Sequence, residues 1–152
     1  MLLVLPTAPR SINVAFFDQS TIELRWLPPI LSGDRTHVYY DVDCRMSCDR
    51  DDDNAECVEN GCGSDVTYLP YKEGLKLTHV MVTNLSSFVN YTFKIYAKNR
   101  ANEAAKRRYG VEGNFITIIL RTNGSSELWR LFNVHQEPDM LEIVKRSMQN
   151  SF

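Results

Sequence analysis

Along most of this chain the apolar positions recur every second residue, the period of a strand with one dry face and one wet face. Ile12, Val14 and Phe16 alternate with Asn13 and Ala15, behind an opening Leu5-Pro6-Thr7-Ala8-Pro9-Arg10. Ile22, Leu24 and Trp26 alternate with Thr21, Glu23 and Arg25 until Pro28-Pro29 stops the run, because proline has no N–H for a ladder. Val38, Tyr40 and Val42 repeat the pattern, as do Val80 and Val82, and then Tyr91, Phe93, Ile95 and Ala97. From Phe115 to Arg121 the run is apolar almost throughout, and Ile116, Ile118 and Leu120 are its expected inward set. With a short strand near Tyr68, about seven strands are predicted, spaced by turn-rich stretches such as Ser32-Gly33-Asp34. One-sided alternation implies antiparallel sheets, and two such sheets bury their dry faces against each other as an immunoglobulin-like sandwich. No strand–helix–strand rhythm occurs before residue 123, which argues against a parallel sheet.

Two aromatic landmarks sharpen the prediction. Trp26 ends the second strand, where a large ring fills the space between sheets. Leu85 and Tyr91 stand six residues apart at a strand junction. That spacing fits a tyrosine corner, with the ring inward and the hydroxyl bonded to nearby backbone. The sandwich is expected over residues 5–123, leaving a tail of 124–152 with a different rhythm. There Leu128, Leu131 and Phe132 recur at helical spacing, Pro138 interrupts, and Asp139-Met-Leu-Glu142 reads as a capping box. Two short helices, weakly docked or disordered, are the expectation, since each is shorter than the ~12–15 residues an isolated helix needs in water.

All four cysteines, Cys44, Cys48, Cys57 and Cys62, fall in one nineteen-residue window. Their spacing is C-x3-C-x8-C-x4-C, whereas structural zinc sites favour tighter knuckles, and His37 and His79 lie outside the window. Disulfides are therefore the preferred reading and no metal is expected; two bridges can connect in three ways, and spacing does not choose. Three N-linked glycosylation sequons, at Asn84, Asn90 and Asn123, point with the cysteines to an extracellular chain. The apolar start Met1-Leu-Leu-Val-Leu5 reaches Pro6 without a basic flank, too short for an export signal, so the chain is expected to be a fragment of something longer.

A net charge of −2 gives no electrostatic reason to expect nucleic acid, and no run approaches the eighteen apolar residues of a membrane span, so no direct membrane insertion is expected. The acidic run Asp49-Arg-Asp-Asp-Asp53 offers a calcium-loop register, but its sixth and twelfth positions are Asn54 and Asn60, not the required glycine and glutamate. A solvated loop is the better reading. Lys98, Arg100, Lys106, Arg107 and Arg108 concentrate positive charge between the last two predicted strands, in a stretch read as a long loop and a candidate polyanion-binding site. Catalysis has no foothold: there is no zinc-protease helix motif, no nucleophile elbow and no phosphate-cradling glycine loop. No cofactor is expected.

These residues together resemble a fibronectin type III domain, and more closely the first such domain of the Eph receptor tyrosine kinases. The resemblance covers roughly residues 5–123. It rests on Pro6-Thr-Ala-Pro-Arg10, on Trp26, and on the cysteine-bearing insert Cys44–Cys62 followed by Val66-Thr-Tyr68-Leu-Pro70 and Gly74-Leu75. Val80-Met-Val-Thr-Asn-Leu85, Asn90-Tyr-Thr-Phe93 and Ala97-Lys-Asn99 extend it. The insert is longer and more acidic than the family's, and residues after 123 do not look like a second such domain. The resemblance implies a non-enzymatic module on the extracellular side of the plasma membrane, a spacer with lateral receptor contacts in ephrin signalling. Apart from it, the residues also allow a secreted or cell-surface adhesion module that binds polyanions through 98–108.

Overall fold

The computed structural model describes residues 4–33, 37–47, 61–122 and 130–134. Among these described residues eight strands form, β1 (Arg10–Phe17), β2 (Ile22–Leu27), β3 (Tyr39–Ser47), β4 (Thr67–Leu69), β5 (His79–Thr83), β6 (Asn90–Lys98), β7 (Asn114–Arg121) and β8 (Arg130–Val134), with one helix, α1 (Arg100–Tyr109). They make two antiparallel four-stranded sheets, ordered β1-β2-β5-β4 and β3-β6-β7-β8. The expected sandwich is there, and seven strands lie within residues 10–121.

The dry faces are those the alternation predicts. Ile22, Leu24, Trp26, Val80 and Val82 from one sheet meet Tyr40, Val42, Tyr91, Phe93, Ile95, Ile116, Ile118 and Leu120 from the other, all buried. Trp26 sits edge-on to Tyr40 across the core, ring centroids 5.5 Å apart, an arrangement the aromatic quadrupoles favour. The tyrosine corner is present: Tyr91 is fully buried and its hydroxyl accepts from the Ser86 amide at 2.7 Å.

Three local expectations change. In β1 the alternation slips, because the register with β2 shifts between Val14 and Phe16. A bulge of this kind inverts every later side chain, so Phe16 is 47% exposed while Phe17 packs on the core. In the tail, Arg130–Val134 is not helical but strand β8, paired with β7 from Ile118↔Val134 to Arg121↔Arg130. The edge of β7 offers unpaired backbone groups, and a strand satisfies them where a short helix in water is marginal. The second predicted helix lies outside the described residues.

The third change is in the long loop of residues 98–113, which holds α1. Asn99 caps it: its side chain accepts from the Ala101 amide at 2.9 Å, while Asn102 Oδ1 accepts from the Asn99 amide at 2.8 Å. This is a capping box built from two asparagines. Gly110 closes the other end at φ 66° and donates to the Lys106 carbonyl, the left-handed stop that glycine permits without a Cβ clash.

Candidate interaction site

The cysteine window is anchored by a Cys44–Cys62 disulfide, with Cα atoms 5.6 Å apart. Cys44 lies inward on β3 opposite Phe93, and both sulfur-bearing residues belong to the core. Met46 adds a backbone bond to the Gly61 carbonyl at 3.1 Å. The two ends of the insert are thus clamped together at the sheet. A disulfide has no thiolate left for zinc, so two of the four ligands of the rival reading are gone. Cys48, Cys57 and the acidic run Asp49–Asp53 lie outside the described residues, and among those described no cluster of three metal-ligating side chains occurs.

The five basic residues fall on two elements, Lys98 at the end of β6 and the other four on α1. Lys98 projects from β6 onto the outer face of its sheet, where its Nζ lies 2.8 Å from Asp41 and 5.3 Å from the Tyr96 ring centre. Burial pulls the Lys98 pKa down, but the hydrogen bond and charge of Asp41 outweigh it, and the net shift is upward. Lys106 pairs with Glu112 at 3.2 Å. Arg100 opens α1, and Lys106, Arg107 and Arg108 occupy its last turn while Glu103 lies in the first. That polarity complements the helix dipole, a structural reason for basic residues there.

Side-chain alternation in β6 builds something the sequence reading missed. Lys94, Tyr96 and Lys98 share the outer face, and Tyr96 pairs in register with Phe115 of β7. Their rings are tilted at 5.2 Å, and Lys94 Nζ sits 4.8 Å above the Phe115 ring. Phe115 remains 41% exposed. Burial, with the charge of Asp43 and Glu112 adding to it, raises the Tyr96 pKa; burial and Asp41 raise that of Tyr39 beside it. Tyr96 is half-buried and Phe115 exposed; aromatic side chains are enriched where proteins touch, while lysines are depleted there. The signal was the outward half of a strand read only for its inward half.

At one end of the sandwich the leading segment is tied down. Asn99 Nδ2 donates to the Val4 carbonyl at 3.0 Å and to the Ser32 carbonyl at 3.1 Å. Asn114 Nδ2 donates to the Pro6 carbonyl at 2.7 Å, and Thr7 exchanges bonds with Leu31. Gly33, at φ 78°, lets this happen, because a Cβ there would lie 2.4 Å from the Val4 carbonyl oxygen. The asparagine that caps α1 therefore also locks residues 4–7 against the 30–33 turn.

Two of the three sequons lie in described segments. Asn84, left-handed at φ 62°, is exposed, but its Nδ2 donates to the Asp65 carbonyl at 3.2 Å and to Thr67 Oγ1 at 3.3 Å. Asn90 starts β6 on the outer face, opposite in phase to buried Tyr91, as expected. Asn123 lies outside the described residues.

The fibronectin type III domain pattern matches residues 7–110. The chain belongs to the fibronectin type III family. This fibronectin type III module is 38% identical over 118 residues to Ephrin type-A receptor 5 of Gallus gallus, covering 78% of this chain and 11% of that receptor. Ephrin type-A receptor 7 of Gallus gallus is 34% identical over 147 residues, 97% of this chain and 13% of that receptor. Ephrin type-A receptor 1 of Homo sapiens is 32% identical over 143 residues, 91% and 14% respectively. The chain thus spans 11–14% of the length of these curated relatives, and it is homologous to a fibronectin type III region of Eph receptors. Among solved structures, the FN5 domain of Drosophila Lar aligns at a TM-score of 0.45 and 13% identity, over 80% of this chain and 100% of that one. The sheet order, not that likeness, carries the fold. No helix among the described residues is long and apolar enough to cross a membrane, and the chain holds no kinase domain.

Proposed function

We propose that this module is an extracellular spacer and lateral-contact element of an Eph-like receptor in ephrin signalling. The observation that carries the reading is the locked leading segment: a spacer transmits orientation only if the chain reaching it cannot swivel. Asn99, Asn114, Gly33 and Leu31 together remove that freedom from residues 4–7. The outer face that carries half-buried Tyr96 and exposed Phe115 supplies an aromatic surface for a neighbouring protein. Amide relaxation is the test. The Leu5 and Thr7 amides are expected to show order parameters near the ~0.85 of rigid backbone, falling below ~0.6 in Asn99→Ala. Order parameters already below ~0.6 in the unmodified chain would defeat the spacer reading. So would tight ephrin binding by this chain alone, since ligand capture would then be its own role.

The rival reading is polyanion binding through Lys98, Arg100, Lys106, Arg107 and Arg108. Exposure of Arg107 and Arg108 favours it, while the ion pairs of Lys98 with Asp41 and Lys106 with Glu112 weaken it. Heparin chromatography separates the two. Retention well beyond a neutral control, lost on replacing Lys106, Arg107 and Arg108 with alanine, would favour adhesion over the spacer.

A further inference from the structure

The turn that leads into β6 holds an unexplained residue. Phe88 is 67% exposed and sits at φ 58°. Bulky side chains avoid that left-handed conformation. It persists because the turn is held from both sides. Ser86 donates its amide to Tyr91 Oη at 2.7 Å, the Val89 amide donates to Thr122 Oγ1 at 3.0 Å, and Thr122 Oγ1 donates to the Ser86 carbonyl at 2.6 Å. Thr122 itself is buried and also donates its amide to the Val89 carbonyl. A strained backbone kept this firmly, with an aromatic ring turned into water, points to a role outside the bare fold.

Two residues on is Asn90, whose Oδ1 is buried without a hydrogen-bond partner among the described residues. Among the described residues no hydrogen bond engages its Nδ2 either, in contrast to the doubly engaged Nδ2 of Asn84. Thr92 completes the sequon on the same outer face. Phe88 and Asn90 have Cα atoms at most ~7 Å apart, within the reach of one sugar ring. We propose that Phe88 is a platform for the first N-acetylglucosamine of a glycan on Asn90, its ring face packing on the apolar C–H face of the sugar. The inference rests on the extracellular reading. Attachment forms a bond from Asn90 Nδ2 to C1 of the sugar and breaks the C1–oxygen bond to a lipid-linked pyrophosphate donor. The pyrophosphate is the leaving group, and one amide proton is lost. The C–H face meets the negative face of the aromatic quadrupole, and the held turn has fixed the Phe88 backbone beforehand, so only the ring's own rotation remains to be ordered.

The test is a thermodynamic cycle on the full chain, secreted from mammalian cells or made glycan-free in an oxidising bacterial compartment. Peptide mapping reads occupancy at Asn90, and thermal unfolding gives the Tm gain from glycosylation. That gain is expected to be about 3 °C in the unmodified chain, to be retained in Phe88→Trp, and to vanish in Phe88→Ala and Phe88→Gly. Glycans at other sequons cancel in the comparison, and the glycine variant relieves the strained φ, so it folds whatever the ring does. Ring-current upfield shifts of the first sugar's protons are expected in the unmodified chain and absent from the glycine variant. An occupied Asn90 whose Tm gain is the same with and without the ring, zero included, overturns this proposal alone. An Asn90 carrying no glycan overturns it together with the support that Asn90 lends the extracellular reading.

Discussion

Trp26 and Tyr91 show how single residues hold this sandwich. Trp26 is 3% exposed and fills the gap between sheets against Tyr40. Trp26→Ala is expected to cost ~3–5 kcal/mol, through lost transfer energy plus the cavity left behind, which approaches the whole stability of a small domain. Chemical denaturation checks it: the midpoint should collapse with the slope unchanged. Tyr91→Phe is a finer probe. It keeps the buried ring but leaves the Ser86 amide without its partner at 2.7 Å, so a loss of ~1–2 kcal/mol is expected. The same measurement with an unchanged midpoint would mean that water replaces the hydroxyl. Both residues were readable from spacing because their roles depend on position within a strand, which alternation exposes directly.

At the scale of elements, the disulfide, the helix and β1 respond to different physics. Cys44–Cys62 closes a loop of separation 18, and cross-linking a loop of that size stabilises by ~3 kcal/mol in the chain-entropy account. With that bridge made, the expected pair of bridges leaves Cys48 with Cys57. Non-reducing peptide mapping of secreted protein is expected to find a Cys48–Cys57 peptide, and alkylation of both thiols would refute it. The α1 helix was written in the sequence as Asn99, Asn102 and Gly110, a cap and a stop around an alanine-containing stretch. It was missed because basic residues between two strands were read for charge rather than for capping. The β1 bulge was not readable, since it depends on where β2 pairs.

At the scale of the molecule, the shifted titrating groups among the described residues share one direction. Burial raises the pKa of Tyr40; burial with Asp43 raises that of Tyr68; Tyr39 and Tyr96 are raised likewise, and Lys98 is held up by Asp41. A group with a raised folded-state pKa contributes stability that is complete below its unfolded value and is lost as pH climbs through the folded one. The ordinary values are 10.0 for tyrosine and 10.5 for lysine. The melting temperature is therefore expected to be insensitive to these groups near neutrality and to fall above about pH 10. Asp41→Asn is expected to lower the melting temperature at neutral pH and to flatten the part of the alkaline fall that Lys98 contributes. Thermal unfolding between neutrality and pH 11 measures both, and a melting temperature that holds steady through the alkaline range would refute the account.

The sequence by itself determined the two-sheet class, the inward sets of β2, β3, β5, β6 and β7, the tyrosine corner and the confinement of cysteines to one insert. These are properties of local period and spacing, and a strand's period of two leaves only one face to bury. Tertiary structure decided the rest. Pairing with β2 turned Phe16 outward, the free edge of β7 recruited Arg130–Val134 as a strand, and Asp41 withdrew Lys98 from the basic stretch. It also chose Cys44–Cys62 among the pairings and brought Asn99 onto residues 4 and 32. Each of these joins atoms far apart in sequence, so its energy exists only once both sheets are in place.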